Sequence, residues 1–292
     1  MKKIFHNGRE LRAGWRLVMF CILIFAIGSA ARAGRERIPL EGYDGLHPTL
    51  FIVSDAFLLA VALVATWIMG RFEGRTFATY GIPGIREFFG RKFWMGAIWG
   101  FAMPSAIILL IFLGGGYHVR GLNLTGAALL KYASLWILAN LFIGASEEIL
   151  FRGYFLYTLA DGIGFWAAAI LESIGFGALH YFTKPYERWE DWVAVTLITI
   201  FITLALRRTG SLAFPIGMHA AFDLGFIYFF SGRNAGDFAV GRLLDAQFPG
   251  PNWLTGGSAG PEGSVLALAV LLLCALLVHW RFPKAIYPDH PV

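Results

Sequence analysis

Eight apolar stretches alternate with short polar segments along the chain, at about 14–31, 50–70, 93–115, 129–150, 163–182, 192–206, 211–230 and 264–281. A helix needs about 20 mostly apolar residues to cross roughly 30 Å of hydrocarbon, so each stretch is a candidate membrane span. The fourth is expected to run on as helix through Arg152 to about Leu159, before the Asp161-Gly162 turn signal. Residues 231–263, with two Gly-Pro pairs and many polar side chains, read as an external loop between the last two spans. Ile82 to Trp94 interleaves Phe88, Phe89, Phe93 and Trp94 with Arg86, Arg91 and Lys92. That pattern fits either an amphipathic segment on the membrane surface or a basic loop closed by Pro83 and Gly84.

Composition agrees with the pattern. The chain is 57% hydrophobic and 15% charged, with a mean hydropathy of +0.62, too apolar for a soluble domain of 292 residues. The expected fold is an all-α polytopic membrane helix bundle of about eight transmembrane helices, with a polar intramembrane cavity. No linker, low-complexity tract or repeat divides it, so residues 1–292 form a single membrane domain. Cys21 and Cys274 lie in separate apolar runs and read as structural thiols, since two distant cysteines make neither a disulfide framework nor a zinc knuckle.

The net charge of +5 comes from basic residues between the spans, which points to lipid head groups and away from nucleic acid. With the N-terminus inside, thirteen Lys and Arg fall in the cytoplasmic stretches and eight in the opposite ones. Both termini are therefore expected in the cytoplasm, in what reads as a bacterial cytoplasmic membrane. Arg32, Arg35 and Arg37 after the first span run against that count. The basic start, the apolar run Leu17 to Ile27 and Ala31-Arg32-Ala33 also imitate a secretory signal peptide. The arginine within the cleavage pattern, the length of the run, and Trp15 and Arg16 at the interface favour a retained helix.

Three polar clusters interrupt the apolar runs: Glu147-Glu148-x-x-x-Arg152, Phe176-x-x-x-His180 and His219-x-x-x-Asp223. An ionisable group at the centre of a membrane helix costs roughly 2.5–3.5 kcal/mol on insertion scales, so such groups are kept for a purpose. Glu148 and Arg152 share a helix face in the favourable order for an ion pair, while Glu147 points about 100° away. That division suits Glu147 to acid–base work and leaves Glu148–Arg152 as a supporting pair. Alone, the cluster reads more readily as a structural salt bridge at a helix end. Phe176 and His180 share a face, as do His219 and Asp223, where a carboxylate can orient an imidazole. The plainer readings are an interfacial histidine and a hydrogen bond within a helix.

Depth brings the clusters together. On straight helices Glu147 lies roughly 21 Å from the turn near Asp161 and His180 roughly 27 Å beyond it, with His219 about 12 Å into its own helix. Antiparallel packing then puts all three at similar heights, in a cavity expected to open toward the cytoplasm.

The order Glu-Glu-x-x-x-Arg, Phe-x-x-x-His and His-x-x-x-Asn/Asp resembles the CPBP family, which includes CAAX prenyl endopeptidases and bacteriocin-processing and immunity proteins. Residues 130–230 form the motif-bearing core; Gly14-Trp15-Arg16 and Tyr80-Gly81-Ile82 resemble less specific upstream features. The resemblance implies an eight-helix fold and a glutamate-dependent endopeptidase with no metal or other cofactor. Glu147 and His180 would activate water, His219 and Asp223 would stabilise the oxyanion, and Glu148, Arg152 and Phe176 would support the site. The partners would be a peptide or protein substrate at the membrane and the lipids around it. Asp223 departs from the Asn of prenyl-processing members. An ionised carboxylate cannot donate to an oxyanion, so Asp223 would be protonated or would orient His219.

Two other readings compete. Two carboxylates and two imidazoles match zinc ligand types, although His-Glu-x-x-His is absent. A non-enzymatic scaffold or immunity protein would bind a peptide or helix without cutting it. A transporter fits less well, since inverted repeats and paired broken helices are not evident.

Overall fold

The protein is described by a computed structural model covering residues 6–7, 10–40, 42–184, 189–234 and 236–289. Lys2, Lys3, Arg9 and Arg188 of the charge count lie outside the described residues. The eight expected spans are eight helices: α1 (Ala13–Arg35), α2 (Pro48–Glu73), α3 (Arg91–Leu113), α4 (Gly126–Ile163), α5 (Phe165–Thr183), α6 (Trp189–Thr209), α7 (Ala213–Phe229) and α8 (Val265–Arg281). The first six are long and apolar enough to cross a membrane, and α7 and α8 are shorter apolar helices. Phe25, Leu113 and Trp280 are more than two-thirds exposed, as lipid-facing side chains would be.

Local chemistry sets the ends. His47 accepts from the Thr49 amide ahead of Pro48 and starts α2, and Gly74 in the left-handed region (φ +69°) stops it. The break between α4 and α5 falls at Gly164 (φ +84°), beyond the expected Asp161-Gly162 turn. Asp161 stays helical and pairs with Arg16 of α1. Arg16 is buried at 2% exposure, packed against the ends of α2 and α4. The first helix passes unbroken through Ala31-Arg32-Ala33.

Two faces are tied by opposite sets of connections. On the face bearing the termini, Glu73 accepts from Arg16 (3.4 Å), Arg75 (2.9 Å), Tyr80 (3.4 Å) and Tyr154. There the Leu212 amide donates to Gly81 O and the Ile286 amide to Arg207 O, each at 2.9 Å. On the other face, strand β1 (His118–Leu122) pairs antiparallel with β2 (Leu244–Gln247), and the Val240 amide donates to Leu46 O. Residues 231–263 thus form the expected connector between α7 and α8, with short strands and a helical turn at Asn252–Thr255. Ile85, Phe89 and Trp94 are exposed beside Arg86, Arg91 and Lys92, the pattern of an amphipathic segment.

Helix α7 carries two site residues and is pressed against α3 with no side chain between. Gly96 and Gly100 of α3 form a Gly-x-x-x-Gly pair, the spacing that lets membrane helices meet at backbone distance. A Cβ at Gly96 would stand 2.1 Å from Phe214 O, one at Gly100 2.1 Å from Met218 O, and one at Gly217 2.2 Å from Phe93 O. On the other flank a Cβ at Gly144 of α4 would meet the Ala220 amide and Ile216 O at 3.1 Å. These contacts wedge α7 between α3 and α4.

Candidate active site

Each polar cluster sits where a helix changes its winding or nears its end. Glu147 is the last residue of the α-helical part of α4, and Glu148–Phe155 follow as a π-helix. Asp223 likewise precedes a π-helical stretch, Leu224–Phe229. The wider turn departs from the 100° step of the sequence reading, and such turns are frequent at functional sites. Gly153, with φ −79° and ψ −114°, takes up the kink within the first stretch. His180 lies three residues before the end of α5.

The three clusters meet. Glu147, His180, His219 and Asp223 line one cavity of about 380 Å³, together with Phe176 and Asp55. His219 is the hub. Its Nδ1 lies 2.8 Å from Glu148 Oε1, and its Nε2 lies 3.5 Å from Asp223 Oδ2 and 3.8 Å from Glu147 Oε2. The tighter carboxylate on this ring is Glu148, not the Asp223 that sits four residues along the same helix. Glu147 and Asp223 keep about a fifth of their side chains exposed, whereas Glu148 and Arg152 are sealed at 0%. The cavity therefore reaches Glu147 and leaves its neighbour behind the wall.

Behind that wall runs a chain of charges. Arg152 Nη1 lies 3.5 Å from Glu148 Oε1, and its Nε lies 3.3 Å from Glu172 Oε1. The Arg152 guanidinium also covers the Phe176 ring at 4.4 Å, and the His180 ring centroid is 4.5 Å from that of Phe176. Phe176 therefore couples the buried cation to the imidazole. His180 Nδ1 lies 3.0 Å from Phe176 O. Donation there leaves Nε2 with its lone pair available to the cavity. Among the described residues Glu147 and His180 make no ion pair with each other; both face the cavity space.

Two residues were not singled out from sequence. Glu172 shares a face with Phe176 and His180 at four-residue spacing, which was a signal for it. Asp55 is an acidic residue inside the second apolar run, 9% exposed, and accepts from Ser146 Oγ at 2.8 Å. Its place beside Glu147 arises only from the packing of α2 on α4. Among the described residues no three His, Cys, Asp or Glu side chains are arranged to hold a metal ion.

The expected combination of opening and topology needs correction. Leu46, Lys184, Asn234, Asp237 and Glu262 are among the residues lining the cavity, and all belong to connections on the face opposite the start of α1 and the end of α8. A cavity open to the cytoplasm and cytoplasmic termini exclude each other.

The family described as Type II CAAX prenyl endopeptidase Rce1-like matches residues 129–225, which hold all three clusters. No curated protein and no solved structure matches the chain. The protein is an integral membrane protein with a CAAX-protease-like intramembrane endopeptidase core. Over those residues the chain is similar to a peptidase family, which implies a peptide or protein substrate at the membrane.

Proposed function

We propose that the protein hydrolyses a peptide bond in a membrane-associated substrate by glutamate chemistry, with Glu147 as the catalytic carboxylate. The observation that carries the reading is the convergence of Glu147, His180, His219 and Asp223 on one cavity from three helices. A water held between Glu147 and His180 Nε2 loses a proton to Glu147 as its oxygen attacks the scissile carbonyl carbon. The carbonyl electrons move to the oxyanion, which His219 stabilises through Nε2 in its imidazolium form, with Nδ1–H held by Glu148. The proton then passes to the leaving nitrogen and the C–N bond breaks, giving a carboxylic acid and an amine, between which the remaining proton of the water redistributes. Asp223 orients His219 from the Nε2 side. Glu148, Arg152, Glu172 and Phe176 hold the parts in register.

The excess of basic residues on the face bearing the termini supports cytoplasmic termini. In that orientation the cavity opens on the far side of the membrane, and substrate enters from there.

The test is Glu147→Gln, which keeps shape and removes basicity. Peptide cleavage should be abolished at unchanged thermal stability, and a chelator should leave the parent's cleavage unaffected. Cleavage by Glu147→Gln protein would end the glutamate reading, and chelator-sensitive cleavage would favour the zinc one. Stoichiometric peptide capture without cleavage by the parent would favour the scaffold reading.

A further inference from the structure

We propose that Asp55 is the specificity-determining residue of the cavity, holding a lysine or arginine side chain of the substrate beside the scissile bond; this rests on the peptidase reading above. Asp55 comes from α2, outside the three clusters and outside the segment that matches the family. It nevertheless lines the same cavity as Glu147, His180 and His219. Its hydrogen bond is to a neutral hydroxyl, Ser146 Oγ, on the residue preceding Glu147. Among the described residues it forms no ion pair with Lys or Arg.

A neutral acceptor such as Asn would satisfy Ser146 equally well without placing a carboxylate inside the membrane. The carboxylate adds one thing that the hydrogen bond does not need, a negative charge open to the cavity. The cationic form of His219 in the same cavity is already surrounded by Glu147, Glu148 and Asp223, so the open side of Asp55 is left to an opposite charge brought along the path of the substrate.

The rest of the cavity agrees. Among the described lining residues, Asp55, Glu147, Asp223, Asp237 and Glu262 carry carboxylates, and Lys184 is the one lysine or arginine. An acidic lining concentrates cationic ligands, and Asp55 is the carboxylate of that lining bonded to Ser146, next to Glu147. Because Ser146 adjoins Glu147, a cation held by Asp55 sets a flanking residue within reach of the reacting carbonyl.

The full chain in phosphatidylcholine nanodiscs would be given amphipathic probe peptides that differ at single positions by Lys, Gln or Glu, with products read by mass spectrometry. Cuts flanked by Lys should exceed matched cuts flanked by Gln by about tenfold or more. Asp55→Asn keeps the acceptor for Ser146 and should collapse that ratio toward one. Asp55→Glu should restore the preference, and Ser146→Ala should keep it. A parent with no Lys preference, which needs no variant to establish, would overturn the proposal, as would an unchanged ratio in Asp55→Asn. If the parent cuts none of the probes, the peptidase reading fails by itself. Binding of the labelled peptides then decides about Asp55: tighter binding of the Lys peptide that is lost in Asp55→Asn upholds it, and equal binding of the Lys and Gln peptides overturns it.

Discussion

His219 Nδ1 lies 2.8 Å from Glu148 Oε1, joining α7 to α4 through a carboxylate that Arg152 also contacts at 3.5 Å. One fully buried glutamate therefore serves two partners. The helical spacing pairs Glu148 with Arg152 and His219 with Asp223. The fold adds the contact between the two pairs, and that contact aims His219 Nε2 at the cavity.

Removing the cation should be severe. Arg152→Ala leaves Glu148 and Glu172 buried without their shared guanidinium. Loss of one partner from a buried pair costs on the order of 3–5 kcal/mol. A fall in thermal midpoint and in folded yield is expected in detergent. An unchanged midpoint would show that Arg152 is not needed to neutralise the buried carboxylates.

Asp223 should tolerate amidation. Asp223→Asn keeps the shape and supplies a donor where a carboxylate has none. Turnover should be retained or raised. A large loss of turnover at unchanged stability would mean that the negative charge itself is used, most directly on His219 Nε2.

The α3–α7 contact should admit no side chain. A Cβ at Gly100 would stand 2.1 Å from Met218 O, adjacent in sequence to His219. Gly100→Val should cost about 1–3 kcal/mol or more by overpacking. Activity should fall further than stability alone explains, because α7 must shift. Wild-type stability and turnover in this variant would refute the backbone-contact packing.

Topology has a direct readout. Reporter fusions at Asp161 and at Asp245 sit on opposite faces of the bundle and should give opposite signals. Cytoplasmic termini require a cytoplasmic signal at Asp161 and place the mouth beside Lys184 and Asp237 outside. A cytoplasmic signal at Asp245 would reverse the protein in the membrane and turn the cavity inward.

The eight helices and the all-α membrane fold were legible in the sequence because crossing hydrocarbon imposes a minimum apolar length that composition alone reveals. The clusters were legible for a related reason: Glu147, His180, His219 and Asp223 are costly in an apolar run, and the four-residue spacings of Glu148–Arg152, Phe176–His180 and His219–Asp223 mark shared faces. Matched depths even anticipated that they would meet. Other features depended on contacts between distant segments. Nothing local tells that Arg16 is buried against Glu73 and Asp161, since that depends on where α2 and α4 end. The Glu148–His219 bond depends on Gly144 admitting α7, and on a π-turn that redirects the side chains after Glu147. Asp55 reaches the cavity only because α2 packs on α4. A cytoplasmic opening and cytoplasmic termini were expected together and do not fit this fold together, because depth along single helices fixes height but not which connections line the cavity. One-dimensional periodicity carries local geometry and solvent preference; the identity of a buried charge's second partner is set by packing in three dimensions.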